Sequence, residues 1–356
     1  FTAIEAAGAL FVAALLVSLA DSHFGLVAGV QNVFDFAAVP LLGFIFARNL
    51  VTREREMGRL MVAIAISGAL MGLLATREQI TGVSFLSPHP YRWSYGLLSV
   101  KIVSLFGTPA PMSAALTMTF PVALLGMLRA ATWRARTGWL VALACIISGL
   151  ILTYVRAGWL ASVVGAAVLV GFSGRTKRVA LFLIPLLLVV VLVLSAGVLD
   201  TRAIQERLSS ERPITYRMGA IEVGLQFARQ APLFGLGFDN YSEAAIAQGF
   251  GAASRYSTLP SAEPHNLFIY VLSSGGLLAL VPMLVLYFAL ARRGWDLWRT
   301  APAQNRDYPA LVLGSLTAFV LLGLTFDLLL AQYANILLFV ITGAAIGRME
   351  HEQVMS

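Results

Sequence analysis

The 356-residue chain has little charge and a single cysteine. Only 12% of its residues are charged and 58% are hydrophobic, whereas soluble domains average about 45–50% apolar residues. Cys145 excludes an internal disulfide, and its place in an apolar run is typical of a small core residue. The composition indicates a membrane protein. The net charge of +7 does not indicate nucleic-acid binding, because the basic residues fall between apolar runs.

The common signatures of metal and nucleotide sites are also missing. The chain contains no HExxH, CxxC, GxGxxG or Walker-type motif. The stretch "GLGF" at 235–238 is too short for a phosphate-binding loop and predicts a turn. A metal site therefore has little support in the sequence.

Apolar runs with the roughly 17–25 residues that cross a bilayer as a helix make up most of the chain. We predict about ten spans, near residues 3–20, 33–48, 58–76, 111–128, 138–155, 157–173, 179–199, 265–290, 310–328 and 333–348. Neither an internal repeat nor a low-complexity linker divides them. The sequence thus predicts an all-α integral membrane protein with one domain over 1–356. Because the chain begins at Phe1, we expect an N-terminal piece to be absent.

Every second loop is rich in basic residues. These residues are Arg48, Arg53, Arg55, Arg59, Arg129, Arg134, Arg136, Arg175, Lys177, Arg178, Arg292, Arg293, Arg299, Arg306 and Arg348. Cytoplasmic loops carry such an excess, so both ends of this chain are predicted to lie in the cytoplasm. The connections at 77–110, at Arg156, at 200–264 and at 328–332 then face outward.

The connection 200–264 is the only large soluble element that the sequence predicts. It indicates a helix over about 214–230, with residues 214, 218, 221 and 225 as its apolar stripe, and a shorter helix near 242–249. His265 follows this loop directly. The unusual polar residues of the chain therefore gather on the predicted external face.

Three residues on this face are candidates for chemistry, and each has a simpler interpretation. Arg156 joins two spans almost without a loop, so it either extends its charge to the membrane surface or binds phosphate bidentately. Arg217 borders the apolar stripe of the loop helix and is either a solvated charge or an anion ligand. His265 opens a helix whose N-terminal field favours a neutral imidazole, so it is either an interface residue or a base that Glu263 orients.

These residues lie in motifs that resemble the bacterial O-antigen ligases and the related O-antigen polymerases. In that family a histidine followed by Asn, Ser or Gln opens a helix, and a glycine follows after nine intervening residues, as in His265, Asn266 and Gly276. A second family glycine is replaced by Ala279. The turn "YVRAGWLA" resembles the family's "SRGAWLA", and "YRMGAIEVGLQFARQAPLFGLGFDNY" resembles its arginine, helix and Pro-Leu-x-Gly-x-Gly segment. The resemblance, with a weaker match at "FGTPAP", covers about residues 90–345.

The resemblance implies an inner-membrane glycosyltransferase that works on the periplasmic side without metal ion, nucleotide or other cofactor. Its donor would be a glycan on undecaprenyl diphosphate, and its acceptor in a ligase would be the lipid A–core oligosaccharide. Arg156 and Arg217 would bind the diphosphate and His265 would act as base or orient the acceptor. Asn266, Glu263 and Arg212 are the remaining expected substrate-binding residues.

Other functions remain open at the level of sequence. A polymerase of the same superfamily would use a second lipid-linked glycan as acceptor, and acceptor choice is not visible in the sequence. A lipid-linked sugar transporter would be expected to show paired charges inside the membrane and internal repeats. Asp35 and Asp327 lie too near the outer ends of their spans to support that interpretation. The long loop with its arginines also argues against a purely structural subunit.

Overall fold

In the computed structural model the chain is helical, and residues 2–21, 26–83, 105–174, 212–238, 240–247 and 264–355 are described. We number the helices α1 (Ala3–Ser18), α2 (Leu26–Val33), α3 (Val39–Leu50), α4 (Glu54–Thr81), α5 (Pro109–Arg129), α6 (Trp133–Leu152), α7 (Arg156–Phe172), α8 (Arg212–Gln230), α9 (Tyr241–Ala247), α10 (Leu267–Thr300), α11 (Asp307–Gly323) and α12 (Gln332–Met355). One turn of π-helix, Phe34–Ala38, joins α2 to α3.

Five helices in the described ranges are long and apolar enough to cross a membrane. They are Val27–Leu50, which combines α2 and α3, together with α4, α5, α6 and α10. Helices α1, α7 and α11 are apolar but shorter. The predicted all-α membrane fold is therefore confirmed, while the number of ten spans stays a prediction. The span predicted at 179–199, and the loop residues 200–211 and 248–263, lie outside the described residues.

The chain divides into two compact units. Unit 1 comprises Phe1–Phe46, Glu211–Arg293 and Val320–Val340. Unit 2 comprises Ala47–Ser210, Gly294–Phe319 and Ile341–Ser356. Each unit is described by itself below.

Unit 2 is organised around α5. Of the most apolar 18 residues of this helix, 94% are buried. Helices α4, α6 and α7 pack on α5, and α4 also packs along α6. Small residues permit these close approaches: a Cβ on Gly72 of α4 would overlap the Cys145 carbonyl of α6, and one on Gly158 of α7 would overlap the Ser113 hydroxyl of α5. The apolar sequence thus becomes a tight bundle only because glycines lie where the helix backbones meet.

Ion pairs at the helix ends of unit 2 join several of the basic loops. The Arg129 guanidinium contacts Glu54 at 2.5 Å and the buried Asp307 at 3.1 Å. Arg48 pairs with Glu350 at 2.8 Å. The charge pattern assigns Arg48 and Arg129 to the same side of the membrane. In the structure the side chains of both arginines form ion pairs at helix ends.

Unit 1 buries an aromatic core between α8, α9 and the start of α10. Phe227 and Tyr241 meet edge to face with ring centroids 5.4 Å apart, and Phe238 meets Tyr270 at 6.1 Å. The Tyr241 hydroxyl donates to the Ala220 carbonyl at 2.7 Å, so its polar end is satisfied. This core holds helices α8 and α9 on the N-terminal end of α10.

Helix α10 is broken at Gly276, where φ is 64° and ψ is −165°. The break frees backbone N–H groups, and the loop after α8 supplies their acceptors: Leu277 donates to the Pro232 carbonyl at 2.9 Å and Leu278 to the Leu233 carbonyl at 3.1 Å. In return, the Leu236 N–H donates to the Ser273 carbonyl at 2.8 Å. The segment "PLFGLG" is therefore a backbone clamp on a broken membrane helix. The close approach of the two backbones explains the glycines at 235 in the loop and at 276 in the helix.

Substituting Gly276 by alanine is expected to destabilise the protein by about 1–3 kcal/mol, because the backbone is left-handed there. The new Cβ would also overlap the Leu233 carbonyl. Thermal unfolding of the purified protein in detergent should show a lower Tm. Gly58→Ala is the matched control, since a Cβ at Gly58 in α4 meets no atom within 4 Å. An equal Tm for both variants would contradict the proposed role of the break.

Candidate active site

His265 lies in a strained backbone position directly before α10. Its φ of 49° is in the left-handed region, which only a few per cent of non-glycine residues adopt, with histidine, asparagine and aspartate enriched among them. The side chain is 31% exposed and is therefore accessible from outside unit 1. Strain of this kind persists only where surrounding contacts impose it.

Asp327 supplies those contacts from a position 62 residues further along the chain. Its carboxylate accepts the backbone N–H of His265 at 3.1 Å and that of Asn266 at 2.9 Å. The same carboxylate lies 3.7 Å from Nδ1 of the imidazole, and the Asp327 side chain is 2% exposed. Asp327 therefore fixes both the backbone and the ring side of His265 that faces it.

Asn266 caps the helix that follows. Its side-chain oxygen accepts the N–H groups of Phe268 at 3.0 Å and Ile269 at 3.1 Å, and its amide nitrogen donates to the Leu324 carbonyl at 3.0 Å. These are the bonds of an N-cap residue, and they explain why an asparagine follows the histidine. The structure favours Asn266 as a residue that positions His265.

Asn335 holds the turn after Asp327 by hydrogen bonds. The buried Asn335 amide donates to the Leu328 carbonyl at 2.7 Å and to the Leu329 carbonyl at 2.8 Å. Since Asp327 immediately precedes this 3₁₀ turn, its carboxylate is supported by a polar residue in α12. Two layers of hydrogen bonds thus determine the position of His265.

Helix α8 presents a different face to the protein from the one that the apolar stripe predicts. Met218 is 46% exposed and Leu225 is 38% exposed, whereas Ala220, Val223 and Phe227 are buried. The predicted buried face is therefore wrong at these positions. The physical reason is close packing: a Cβ on Gly224 would overlap Ile269 of α10, so the face that carries Gly224 lies against α10.

Arg217 lies on the same face of α8 as Gly224, two helical turns earlier. Its guanidinium lies over the ring of Phe326, with 5.4 Å to the ring centroid, and this ring is adjacent in sequence to Asp327. The dipeptide Phe326-Asp327 thus contacts the arginine with one side chain and the histidine with the next. The structure brings Arg217, His265 and Asn266 together within unit 1.

The pKa of His265 is lowered to about 4 from its ordinary value of 6.5, chiefly by burial and further by the positive charge of Arg217. The imidazole is therefore neutral at pH 7. Protonation between pH 6.5 and 4 favours the unfolded chain, so this group reduces stability as the pH falls through that window. A neutral ring with Nδ1 toward a carboxylate favours the tautomer in which Nε2 can accept a proton.

Arg156 belongs to unit 2, where it is the first residue of α7. The turn before it is tight: the Thr153 hydroxyl donates to the Leu150 carbonyl at 2.7 Å, and Tyr154 has a left-handed φ of 54°. Among the residues that the structure describes, the Arg156 side chain has neither an acidic partner nor a hydrogen bond. A half-buried guanidinium at a helix N-terminus favours the binding of an anion.

Two predicted site residues cannot be placed. Glu263 and the side chain of Arg212 lie outside the described residues, although the backbone of Arg212 begins α8. Sequence reasoning also missed three residues that build the site, namely Phe326, Asp327 and Asn335. Asp327 was visible as an acidic residue near an outer helix end, but no spacing rule connects it to a histidine 62 residues away.

Comparison with known proteins supports the resemblance seen in the motifs. A family model described as "O-Antigen ligase" matches residues 140–284. The matched region contains Arg156, Arg217, His265 and Asn266, whereas Asp327 lies beyond its end. No curated protein matches the chain.

Proposed function

We propose that this membrane protein, which matches a family model of O-antigen ligases over residues 140–284, transfers a glycan from undecaprenyl diphosphate to a sugar hydroxyl of lipid A–core. The reaction takes place on the periplasmic side of the inner membrane. The bond between the anomeric carbon and the diphosphate oxygen breaks, and the acceptor oxygen forms the new glycosidic bond. The diphosphate leaves on its lipid, and the proton of the acceptor hydroxyl passes to a base.

The observation that carries this proposal is the contact of Asp327 with His265, beside the cation of Arg217. A neutral imidazole whose Nδ1 lies 3.7 Å from a buried carboxylate, and whose backbone N–H donates to that carboxylate, has the protonation state and the anchored backbone of a general base. Asp327 then stabilises the imidazolium that forms, as the carboxylate does in a serine-protease triad. His265 is the proposed base, and Asp327 is a residue that positions it.

Arg217 is the proposed ligand of the donor diphosphate. Negative charge grows on the leaving diphosphate as the glycosidic bond breaks, and a fixed guanidinium stabilises that charge without a metal ion. A bound diphosphate also offsets the positive charge that lowers the pKa of His265, so the pKa of His265 rises when the donor is present. Donor binding thus makes His265 a stronger base.

We propose phosphate binding for Arg156 as well. The guanidinium and the N-terminus of α7 both favour negative charge at this point. The tight packing of Gly158 against Ser113 fixes the start of α7 on the buried helix α5. Glu263 and Arg212 remain proposed substrate contacts, because the external segment that contains them precedes His265 in the chain.

The test uses purified protein in lipid vesicles with lipid-linked glycan as donor. One arm supplies lipid A–core and the other supplies only more lipid-linked glycan, and the products of both arms are sized. Glycan on lipid A–core supports the ligase. A ladder of longer lipid-linked glycans would contradict the ligase and favour the polymerase. The absence of any glycosidic product in both arms would favour a transporter.

Substituting Asp327 by asparagine is expected to lower kcat by about 10–100-fold, by analogy with the loss of a carboxylate that orients a metal-binding histidine. Asparagine offers one acceptor oxygen, whereas Asp327 accepts two backbone N–H groups with separate oxygens. Removing the carboxylate charge also lowers the pKa of His265, so the acid limb of the pH–rate profile moves to lower pH. A merely structural role would reduce the amount of folded protein and leave this profile unmoved.

Asp35→Asn is the matched control for Asp327→Asn. Asp35 is an acidic residue in the π-turn within the span Val27–Leu50, and its backbone carbonyl accepts from Gln332 at 3.3 Å. This bond survives the change of side chain. Equal activity of the two variants would contradict the role assigned to Asp327.

A further inference from the structure

Helix α4 carries an exposed apolar stripe along one face. The exposed residues are Val62, Ile66, Leu70 and Leu73, with exposures of 44%, 54%, 55% and 53%. They recur every three or four positions, so they lie one above another on the helix. In a membrane protein such a stripe faces the lipid acyl chains, because water would make its exposure costly.

An arginine stands at each end of this stripe. Arg59 and Arg77 are 18 positions apart, which is five full helical turns, so both project from the same face as the apolar residues. At 1.5 Å per residue they are separated by about 27 Å, close to the thickness of roughly 30 Å of a bilayer's hydrocarbon core. Arg59 and Arg77 therefore mark the two boundaries of the hydrocarbon region on α4.

Helix α6 brings further basic and aromatic residues to the level of Arg59. The two helices run parallel and touch where Gly72 meets the Cys145 carbonyl. From that contact, Arg59 lies about 20 Å back along α4 and Arg134 about 17 Å back along α6. Trp133 is adjacent and 75% exposed, as is typical of tryptophan at a membrane interface.

The arginines of this level are not neutralised by acidic neighbours. Within the described residues, Arg55, Arg59 and Arg134 form neither an ion pair nor a hydrogen bond. The nearby acidic side chains are engaged elsewhere: Glu54 pairs with Arg129, and Glu56 accepts the backbone N–H of Arg53 at 2.9 Å. Three uncompensated guanidinium groups and one exposed indole thus lie at one boundary of the membrane.

We propose that Arg55, Arg59, Trp133 and Arg134, which we term the basic edge, bind the headgroup phosphates of anionic phospholipids. Guanidinium binds phosphate bidentately, and the indole lies among headgroups with its N–H toward water. The position of Arg59 along α4 favours a lipid phosphate as its partner, because lipid phosphates lie just beyond the hydrocarbon region that the apolar stripe faces. The basic edge belongs to the side that the charge pattern of the loops assigns to the cytoplasm, so this proposal is independent of the catalytic one.

The test compares the full chain in nanodiscs of phosphatidylcholine with nanodiscs that also contain phosphatidylglycerol. The wild-type protein is expected to retain phosphatidylglycerol selectively in native mass spectrometry and to gain Tm in the mixed discs, both effects weakening at high salt. The triple variant Arg55→Gln, Arg59→Gln, Arg134→Gln should lose this selectivity, with retention falling about fivefold for each arginine removed.

Arg77→Gln is the matched control, because Arg77 ends the same stripe at the opposite boundary. It should keep the phosphatidylglycerol preference of the wild-type protein, and an equal loss in both variants would overturn the proposal. So would a triple variant that retains the wild-type preference. If the triple variant does not fold, Arg59→Gln alone is compared with Arg77→Gln by the same measurements and the same criteria.

Discussion

Replacing His265 by alanine is expected to lower the rate of glycan transfer by about 10²–10⁴-fold, the usual contribution of a positioned general base. The donor should still bind, because the proposed ligand of its diphosphate is Arg217 rather than the imidazole. Single-turnover transfer in vesicles with saturating lipid-linked glycan measures the chemical step, and retention of the donor by the purified variant measures binding. The loss is therefore expected in kcat, with a small change in KM for the donor.

His351→Ala is the matched control for this substitution. His351 is exposed near the end of α12, where its imidazole has no part in the site. Its variant should transfer glycan at the wild-type rate. Transfer by His265→Ala at a rate close to wild type would rule out His265 as the base and leave it as a residue that only shapes the external surface.

Replacing Arg217 by methionine is expected to reduce kcat/KM by about 10²–10³-fold, the usual loss when one preorganised group that stabilises developing charge is removed. Methionine keeps much of the length of the side chain over Phe326 and removes only the charge and the donors. Arg217→Lys should recover part of the activity, since an ammonium supplies charge without the bidentate geometry. Steady-state transfer over a range of donor concentrations measures these effects.

The same variant should shift the pH dependence of the reaction. Burial is the larger cause of the lowered pKa of His265 and the charge of Arg217 is the smaller one, so removing Arg217 raises that pKa above about 4 by only part of the difference from 6.5. The acid limb of kcat/KM, which reports the free enzyme, should move to higher pH. Arg229→Met is the matched control, because Arg229 is exposed in the last turn of the same helix. A wild-type pH profile in Arg217→Met would contradict the electrostatic coupling of the two residues.

The helices and the candidate residues were largely predictable from local patterns. Apolar runs determine helices because their backbone polar groups must be satisfied within the segment in a bilayer. The loop helix over 214–230 and the short helix near 242–249 correspond to α8 and α9. The motifs also identified Arg217 and His265, which the structure brings together within unit 1.

The inward face of α8 could not be predicted from the periodicity of its apolar residues. Met218 and Leu225 belong to the predicted stripe and are exposed, whereas Phe227 lies outside the stripe and is buried. What decides the face is the approach of α10, which only the small residue Gly224 permits. Hydrophobic periodicity indicates which face of a single helix is the most apolar. Which face is buried against a second helix depends on the shapes of both surfaces.

The sequence alone determined that this protein is a helical membrane protein, and it named His265, Arg217 and Arg156 as candidates, because hydrophobic length, loop charge and short motifs are local properties. Only the tertiary structure decided what holds His265. Asp327 reaches it across 62 residues, and the clamp at Gly276 joins a loop to a broken helix through backbone hydrogen bonds. Contacts of this kind depend on which helix ends meet in space, and sequence spacing carries no record of that.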